Sequence, residues 1–472
     1  MLLDIINNIN DILWGIPSIL LLAGTGLFLT FIIKGLQFRK LGEAFKLAFM
    51  KDEEDIKSGQ GDVSNFKALM TSLAGMIGNG NIAGVATGVT LGGPGAIFWM
   101  WIVGLLGMAT KYAEALLAQK YRIKNAHGEY SSGPMYYIER GLGSRWRFLA
   151  IAFALFGAFA ALGIGNSVQS NTIADVVKNS FHINGWITGI VLVILTGLIV
   201  FGGLQRISAV AGVFVPVMAI LYIGASLVVL AINYEQIIPA FGLIFQYAFT
   251  PVSAAGGFVG VVVTQAIQHG ASKGLFSNEA GLGTVALIAG NAKTSHPVKQ
   301  ALVAMVGTFI VTIIVCTMTG LVLLVTGFWD PSGGLLSGVA HDPTLEAGAL
   351  TSHAFASTLG AAGELIVSIS VIFFGFSTII GWYVYGIKCF EYLFGVSHLK
   401  IYGVIYISAT FIGTVANLTT VWAFADMANA LMMIPNLIGL LLLYKVVRTE
   451  TESYFGGRLE AEIHQGKKAL AK

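Results

Sequence analysis

Long apolar stretches follow one another along this chain, separated by short polar segments. Eleven can be drawn, at 13–35, 66–91, 95–120, 147–173, 184–204, 208–232, 253–289, 298–328, 361–391, 400–420 and 423–447. Each reaches about 20 mostly apolar residues, enough for an α-helix to cross a hydrocarbon core of about 30 Å. The pattern predicts an all-α integral membrane protein with about 11 transmembrane helices.

Two of the stretches do not read as continuous helices. The second carries Gly75-Met76-Ile77-Gly78-Asn79-Gly80-Asn81 at mid-depth. Glycine and asparagine are poor helix formers, and backbone groups freed there must find partners because lipid offers none. The seventh carries Gln265, Gln268, His269, Gly270, Ser272, Lys273 and Gly274, again polar and glycine-marked. Each interruption opens a block of five spans. Five is odd, so the second block must lie inverted relative to the first. The layout expected is an N-terminal helix (1–38) outside the repeat, a cytoplasmic amphipathic segment (39–65), a first five-helix repeat (66–232), a second, inverted one (253–447) and a cytoplasmic tail (448–472). Paired interruptions at corresponding positions point to a transporter's binding site. Small residues that merely let helices pack closely would explain lone glycines such as Gly88 or Gly107. They would not explain amides clustered at both interruptions.

Charge fixes an orientation. With alternating sides, 26 of the 27 Lys and Arg residues fall on one side, and Lys178 alone on the other. Short loops rich in Lys and Arg stay in the cytoplasm, so the N-terminus is expected outside and the C-terminus inside. Charges that simply avoided apolar runs would populate the loops on both sides. Composition agrees: 56% of residues are hydrophobic and 11% charged, against about 25% charged in soluble domains. Asp4 with no Lys or Arg in the first ten residues argues for a retained span rather than a signal peptide. Cys316 and Cys389 lie in apolar runs and imply neither a disulfide framework nor a metal cluster.

Two segments are specific enough to suggest kinship. Gly92-Gly93-Pro94-Gly95-Ala96-Ile97-Phe98-Trp99-Met100-Trp101, and Lys273-Gly274-Leu275-Phe276-Ser277-Asn278-Glu279-Ala280-Gly281 leading into His296-Pro297-Val298, resemble signatures of the alanine or glycine:cation symporter family. That resemblance covers nearly the whole chain. It implies import of alanine or glycine driven by sodium or sometimes protons, in a plasma membrane, with sodium as coupling ion and no nucleic-acid partner. Ala74–Asn81 and Gly92–Ala96 also resemble the first two core helices of a more distant relative, the bacterial leucine transporter. This implies its fold of five plus five inverted helices.

Candidate site residues follow. Unwound backbone can replace a solute's hydration shell, and half-helix N-termini aim N–H groups at a carboxylate. Gly78, Asn79 and Gly80 are therefore expected to grip the carboxylate of an amino acid, with Asn79 and Asn81 adding side-chain amides. Thr264, Gln265 and Gln268 would complete the polar shell. Gln169 and Asn166 are further candidates, although an intramembrane Gln equally satisfies a neighbouring helix. By resemblance to the leucine transporter, Ser377 and Thr378 match the paired hydroxyls of its second sodium site, completed by the carbonyls of Ala74, Ile77 and Phe374. Back-bonding to their own helix is the alternative. A first sodium site matches less well: Asn81 fits, but Ala266 falls where a hydroxyl should be. His269 is a proton-coupling candidate or a hydrogen-bonded structural residue. Lys111 and Glu114, three residues apart, read as a structural pair. Phe276, Gln265, Gln268 and the Phe98–Trp101 stretch are expected to wall a small pocket.

Other functions are disfavoured. The chain has no HExxH and no paired acids at mid-depth, as an intramembrane hydrolase would need. A channel needs a continuous polar path, whereas the polar residues gather at two interruptions. A proton-coupled amino-acid carrier and a transporter-like amino-acid sensor stay open.

Overall fold

The computed structural model describes residues 2–249, 259–330, 334–335, 347–416 and 419–456, and these are overwhelmingly helical. Among them, seven helices are long and apolar enough to cross a membrane: Gly95–Tyr121, Ser144–Phe181, Gly203–Ile232, Pro297–Val325, Ala361–Phe394, Val396–Val415 and Ala423–Leu442. Two shorter apolar helices, Pro17–Ile32 and Gly185–Val200, accompany them. The first apolar stretch is not one helix over 13–35. Leu2–Leu13 and Ile16–Ile32 are separate, because Gly15 is extended and Pro17 starts a new first turn.

The first interruption falls where the sequence placed it. Helix Asn65–Met76 ends, Asn79–Asn81 form a single 3₁₀ turn, and helix resumes over Ala83–Gly92. The second does not. Helix Val259–Asn278 runs unbroken through Gln265–Gly274. Its glycines serve close packing instead: a Cβ on Gly270 would meet the Ala96 carbonyl oxygen at 2.4 Å, and one on Gly274 the Met100 Cα at 3.2 Å. Both belong to helix Gly95–Tyr121, so there the small residues admit a neighbouring helix. The chain breaks after Asn278. Glu279 takes a left-handed φ of 56°, Gly281 and Gly283 follow at 91° and 79°, and a short helix resumes over Ala286–Ala289.

Several elements were not foreseen. Helices Ile237–Phe249 and Ala347–Leu359 occupy expected loops, and a π-helical turn, Gly163–Ser167, interrupts the fourth stretch. The 39–65 segment folds into helices Leu41–Phe49 and Glu53–Ser58. Of the expected tail, residues 448–456 are helical and 457–472 lie outside the described residues.

One end of the bundle is tied by polar contacts. Strand Val63–Ser64, leading into the first broken helix, pairs in parallel with Ala292–Lys293, leaving the second. Gly61 passes so close that a Cβ would lie 2.4 Å from the Ala292 carbonyl carbon. Arg122 donates to the Gly290 carbonyl at 2.7 Å and to that of Gln60 at 3.0 Å, joining both chains to the end of helix Gly95–Tyr121. Lys299 pairs with Asp52 at 2.9 Å and Glu54 at 2.7 Å, while Asp55 accepts from Asn65 at 2.8 Å and from the Ser295 N–H at 2.7 Å. These bonds clamp helix Glu53–Ser58 across the start of helix Pro297–Thr308.

Candidate functional site

Two cavities meet at the first break. The larger, about 1080 Å³, has a rim that includes Asn10, Leu91, Asn179 and Glu364, and descends to Asn79, Gly80, Gln169, Gln268 and Phe276. The smaller, about 30 Å³, lies deeper, between Gly78, Asn81, Gln169, Glu279, Thr378 and Trp382. Gly80, Gln169 and Phe276 border both. A Cβ on Gly80 would meet the Phe276 ring at 2.9 Å, so glycine there lets the ring close over the deeper cavity.

The break exposes backbone and holds it open. Asn81 is fully buried and spans the gap, its amide donating to the Met76 carbonyl at 2.8 Å and to the Gly78 carbonyl at 3.3 Å. Its carbonyl side-chain oxygen accepts from the Cys316 thiol at 3.3 Å. These bonds replace the helical ones lost at the glycines, which makes Asn81 a brace of the break. Asn79, the neighbour two residues earlier, is buried with both amide atoms unpaired. Buried polar side-chain atoms almost always have partners, so this pair is open to bonds with whatever fills the cavity it lines. Gln169 ties its amide nitrogen to the Ile164 carbonyl at 3.1 Å, across the π-helical turn, and leaves its amide oxygen unpaired.

Four of the five expected cation ligands converge. Ser377 and Thr378 each approach the Phe374 carbonyl at 2.9 Å and the Ile77 carbonyl at 3.3 and 3.5 Å. All four residues are buried. Back-bonding within the helix and convergence on the first break thus coexist: the same hydroxyls do both. Two carbonyls and two hydroxyls can replace part of the hydration shell of a hard monovalent cation. Ala74 sits one turn away, its carbonyl carbon 3.0 Å from the position a Cβ on Gly381 would take. Gly78 abuts the group, with a notional Cβ 2.6 Å from the Thr378 hydroxyl.

The other expected residues scatter more. Gln268 and His269 line the larger cavity. The side chains of Thr264 and Gln265 lie outside the described residues. Asn166 bonds to the Tyr406 carbonyl at 2.6 Å and accepts from Thr410 at 2.8 Å, so it joins helices. The Phe98–Trp101 stretch lines neither cavity. Phe98 packs on Phe245 and Phe249, and Trp101 on Phe241, because the unforeseen helix Ile237–Phe249 covers that face.

Sequence reasoning missed the second break's own chemistry. Glu279 accepts from the Trp382 indole at 3.0 Å and from Thr284 at 2.6 Å, and Thr284 accepts from Lys111 at 3.2 Å. Glu114 accepts from the backbone N–H groups of Gly281 and Gly283 at 3.1 and 3.0 Å, and from Asn436 at 2.7 Å. Lys111 and Glu114 are indeed structural: they fasten the second break to helix Gly95–Tyr121. The available signal was a carboxylate, Glu279, inside an apolar stretch, which by itself flags a functional position. Asp426 was also missed. It lines the larger cavity, where its charge interacts with that of Lys273.

A family model described as the sodium:alanine symporter family matches residues 1–468. The chain belongs to the sodium:alanine symporter family. Among curated relatives, this symporter is 48% identical to the sodium/alanine symporter AgcS of Methanococcus maripaludis, over 96% of this chain and 97% of that one. It is 38% identical to the probable sodium/glutamine symporter GlnT of Bacillus subtilis, over 94% and 89%. Its fold resembles that of the transporter MhsT, crystallised with L-phenylalanine, at a TM-score of 0.57 and 15% identity, over 82% of this chain and 90% of that one. The symporter is therefore a membrane-embedded transporter and not an enzyme, with the leucine-transporter type of fold.

Proposed function

We propose that this chain carries small neutral amino acids, alanine and glycine, into the cell together with sodium, by alternating access. The carrying observation is the contact between Gly78 and Thr378. It puts the four converging oxygens of Ile77, Phe374, Ser377 and Thr378 directly against the substrate-gripping break. A sodium ion there would organise the backbone that holds the substrate, which gives each ligand a reason to wait for the other.

In this reading the amino acid's carboxylate is held by Gly78, Asn79 and Gly80, at the positive end of helix Ala83–Gly92. The unpaired amide of Asn79 supplies a further donor. The deeper cavity, closed by Ile164, Leu282 and Trp382 and only about 30 Å³ in volume, has no room for a long side chain. The orientation that places the N-terminus outside makes the larger cavity an external vestibule. The clamped end, with Lys299, Asp52 and Glu54, then faces the cytoplasm. The five-plus-five inverted arrangement agrees with the two breaks, one early in each half of the chain.

The test is uptake of labelled alanine into liposomes carrying the purified protein. An inward sodium gradient should drive accumulation that saturates and is competed by glycine. No uptake with sodium, or equal drive from a proton gradient alone, would overturn the reading. Leucine or glutamine competing as well as glycine would remove the small pocket.

A further inference from the structure

The deeper cavity is rich in acceptors. Gln169 and Asn429 border it, are 6% and 1% exposed, and each leaves its side-chain carbonyl oxygen without a partner. Glu279, 4% exposed, borders it too. Its two oxygens take one hydrogen bond each, from Trp382 and Thr284, and each carboxylate oxygen can accept a second. Three oxygen acceptors round one small void call for a guest that brings donors and positive charge.

The charges around it agree. Beneath the second break lie two carboxylates, Glu114 and Glu279, and one ammonium, Lys111, all buried. Lys111 reaches Glu279 through Thr284 rather than directly, and it also faces Glu114. Formally the cluster carries one negative charge more than it balances. Glu279 is the member that borders the cavity. A volume of about 30 Å³ accommodates one or two water-sized groups, since one such group needs at least about 10–15 Å³ on this measure. An ammonium group is of that size.

We infer that Glu279 is the counter-charge for the ammonium group of the bound amino acid. With Gln169 and Asn429 it selects α-amino acids over otherwise similar 2-hydroxy acids. The inference rests on the proposed amino-acid transport and names what that site reads at its inner end. Alanine would then lie across the first break, its carboxylate toward Gly78–Gly80 and its ammonium toward Glu279.

The experiment measures binding of alanine and of lactate, which has a hydroxyl in place of the ammonium, to the full chain purified in detergent. Sodium-induced thermal stabilisation is recorded in parallel. Wild type should bind alanine in sodium; if it does not, the transport reading fails before this one is tested. Glu279→Gln should weaken alanine on the order of 10–100-fold, the worth of a charge-assisted hydrogen bond. It should collapse the preference over lactate and leave the sodium response as in wild type. Trp382→Phe removes one bond to the carboxylate but keeps the charge, so it should retain the preference over lactate. Unchanged alanine binding in Glu279→Gln overturns the inference. So does a sodium response lost in step with alanine, which would make Glu279 a second ion ligand or a support of the fold. Trp382→Phe collapsing the preference as fully as Glu279→Gln would likewise overturn it.

Discussion

At the level of single residues, one glycine separates the proposed ion site from the proposed substrate site. Gly78→Ala would drive a methyl group to within 2.6 Å of the Thr378 hydroxyl. Overpacking of this kind costs about 1–3 kcal/mol, or roughly 5–150-fold, so sodium and alanine affinity should fall together. Gly84 has nothing within 4 Å of its notional Cβ, and Gly84→Ala should change neither. Isothermal titration of both variants decides; loss of alanine binding alone in Gly78→Ala would separate the two sites. Replacing both Ser377 and Thr378 by alanine should raise the sodium concentration for half-activation of uptake by at least about tenfold, on the basis of roughly 1 kcal/mol per lost polar contact. Unchanged activation would remove the ion assignment. These residues were legible because each broke a local rule: glycines and asparagines inside an apolar stretch, and two adjacent hydroxyls in another. Asn429 and Trp382 stood out less. A lone asparagine in the middle of helix Thr419–Leu442 and a tryptophan in an apolar run look ordinary until both are seen to line the deeper cavity.

At the level of elements, the second break shows where pattern reading fails. Gly270 and Gly274 looked like a gap but are a packing surface, since the partner helix Gly95–Tyr121 is invisible to local sequence. The true gap carries Glu279, Gly281 and Gly283 with left-handed backbone, and it survives because Glu114 satisfies two of its N–H groups. Glu114→Ala would strand those groups, while the Asn436 amide would keep only its bond to the Gly281 carbonyl. Each stranded donor costs about 1–3 kcal/mol, so the thermal midpoint in detergent should drop by several degrees. A midpoint equal to wild type would show that the break holds itself. The clamp formed by helix Glu53–Ser58 makes a pH prediction. Burial alone would raise the Asp52 carboxyl, but hydrogen bonds from Lys299 and the Glu54 N–H overcome it and hold it below the usual carboxylate range. Burial holds His296 below the usual imidazole range. Both groups favour docking in the deprotonated form, so stability of the clamp rises with pH. The Asp52 share is full above about pH 4, whereas the His296 share is full only above about 6.5 and fades as pH falls below it. Hydrogen exchange at residues 53–58, corrected for intrinsic rates, should therefore quicken between about pH 7.5 and 5.5. Asn in place of His296 keeps a capping side chain and should abolish that change.

For the whole molecule, hydropathy and one-sided charge sufficed to propose a membrane bundle, and kinship supplied its architecture. The added helices Ile237–Phe249 and Ala347–Leu359 escaped because they read as loops between spans. The open vestibule was not legible at all: sequence says which residues are polar, not which way a bundle gapes. It can be tested, because Cys316 and Cys389 are both buried and should stay silent toward polar thiol reagents. Ser352→Cys, on the vestibule wall, should react with an impermeant reagent applied outside intact cells, and more slowly when sodium and alanine are present together. Equal labelling with and without both ligands would mean that the vestibule does not close on loading. The short ladder between Val63–Ser64 and Ala292–Lys293 has a consequence for economy of the gradient. The two discontinuous helices begin and end on the same few backbone bonds, so neither swings far while the other stays. A conformer with only one of them displaced is the conformer that would join the two compartments and let ions run through unaccompanied. A ladder of two residues is in this sense insulation: it keeps the machine from short-circuiting between strokes.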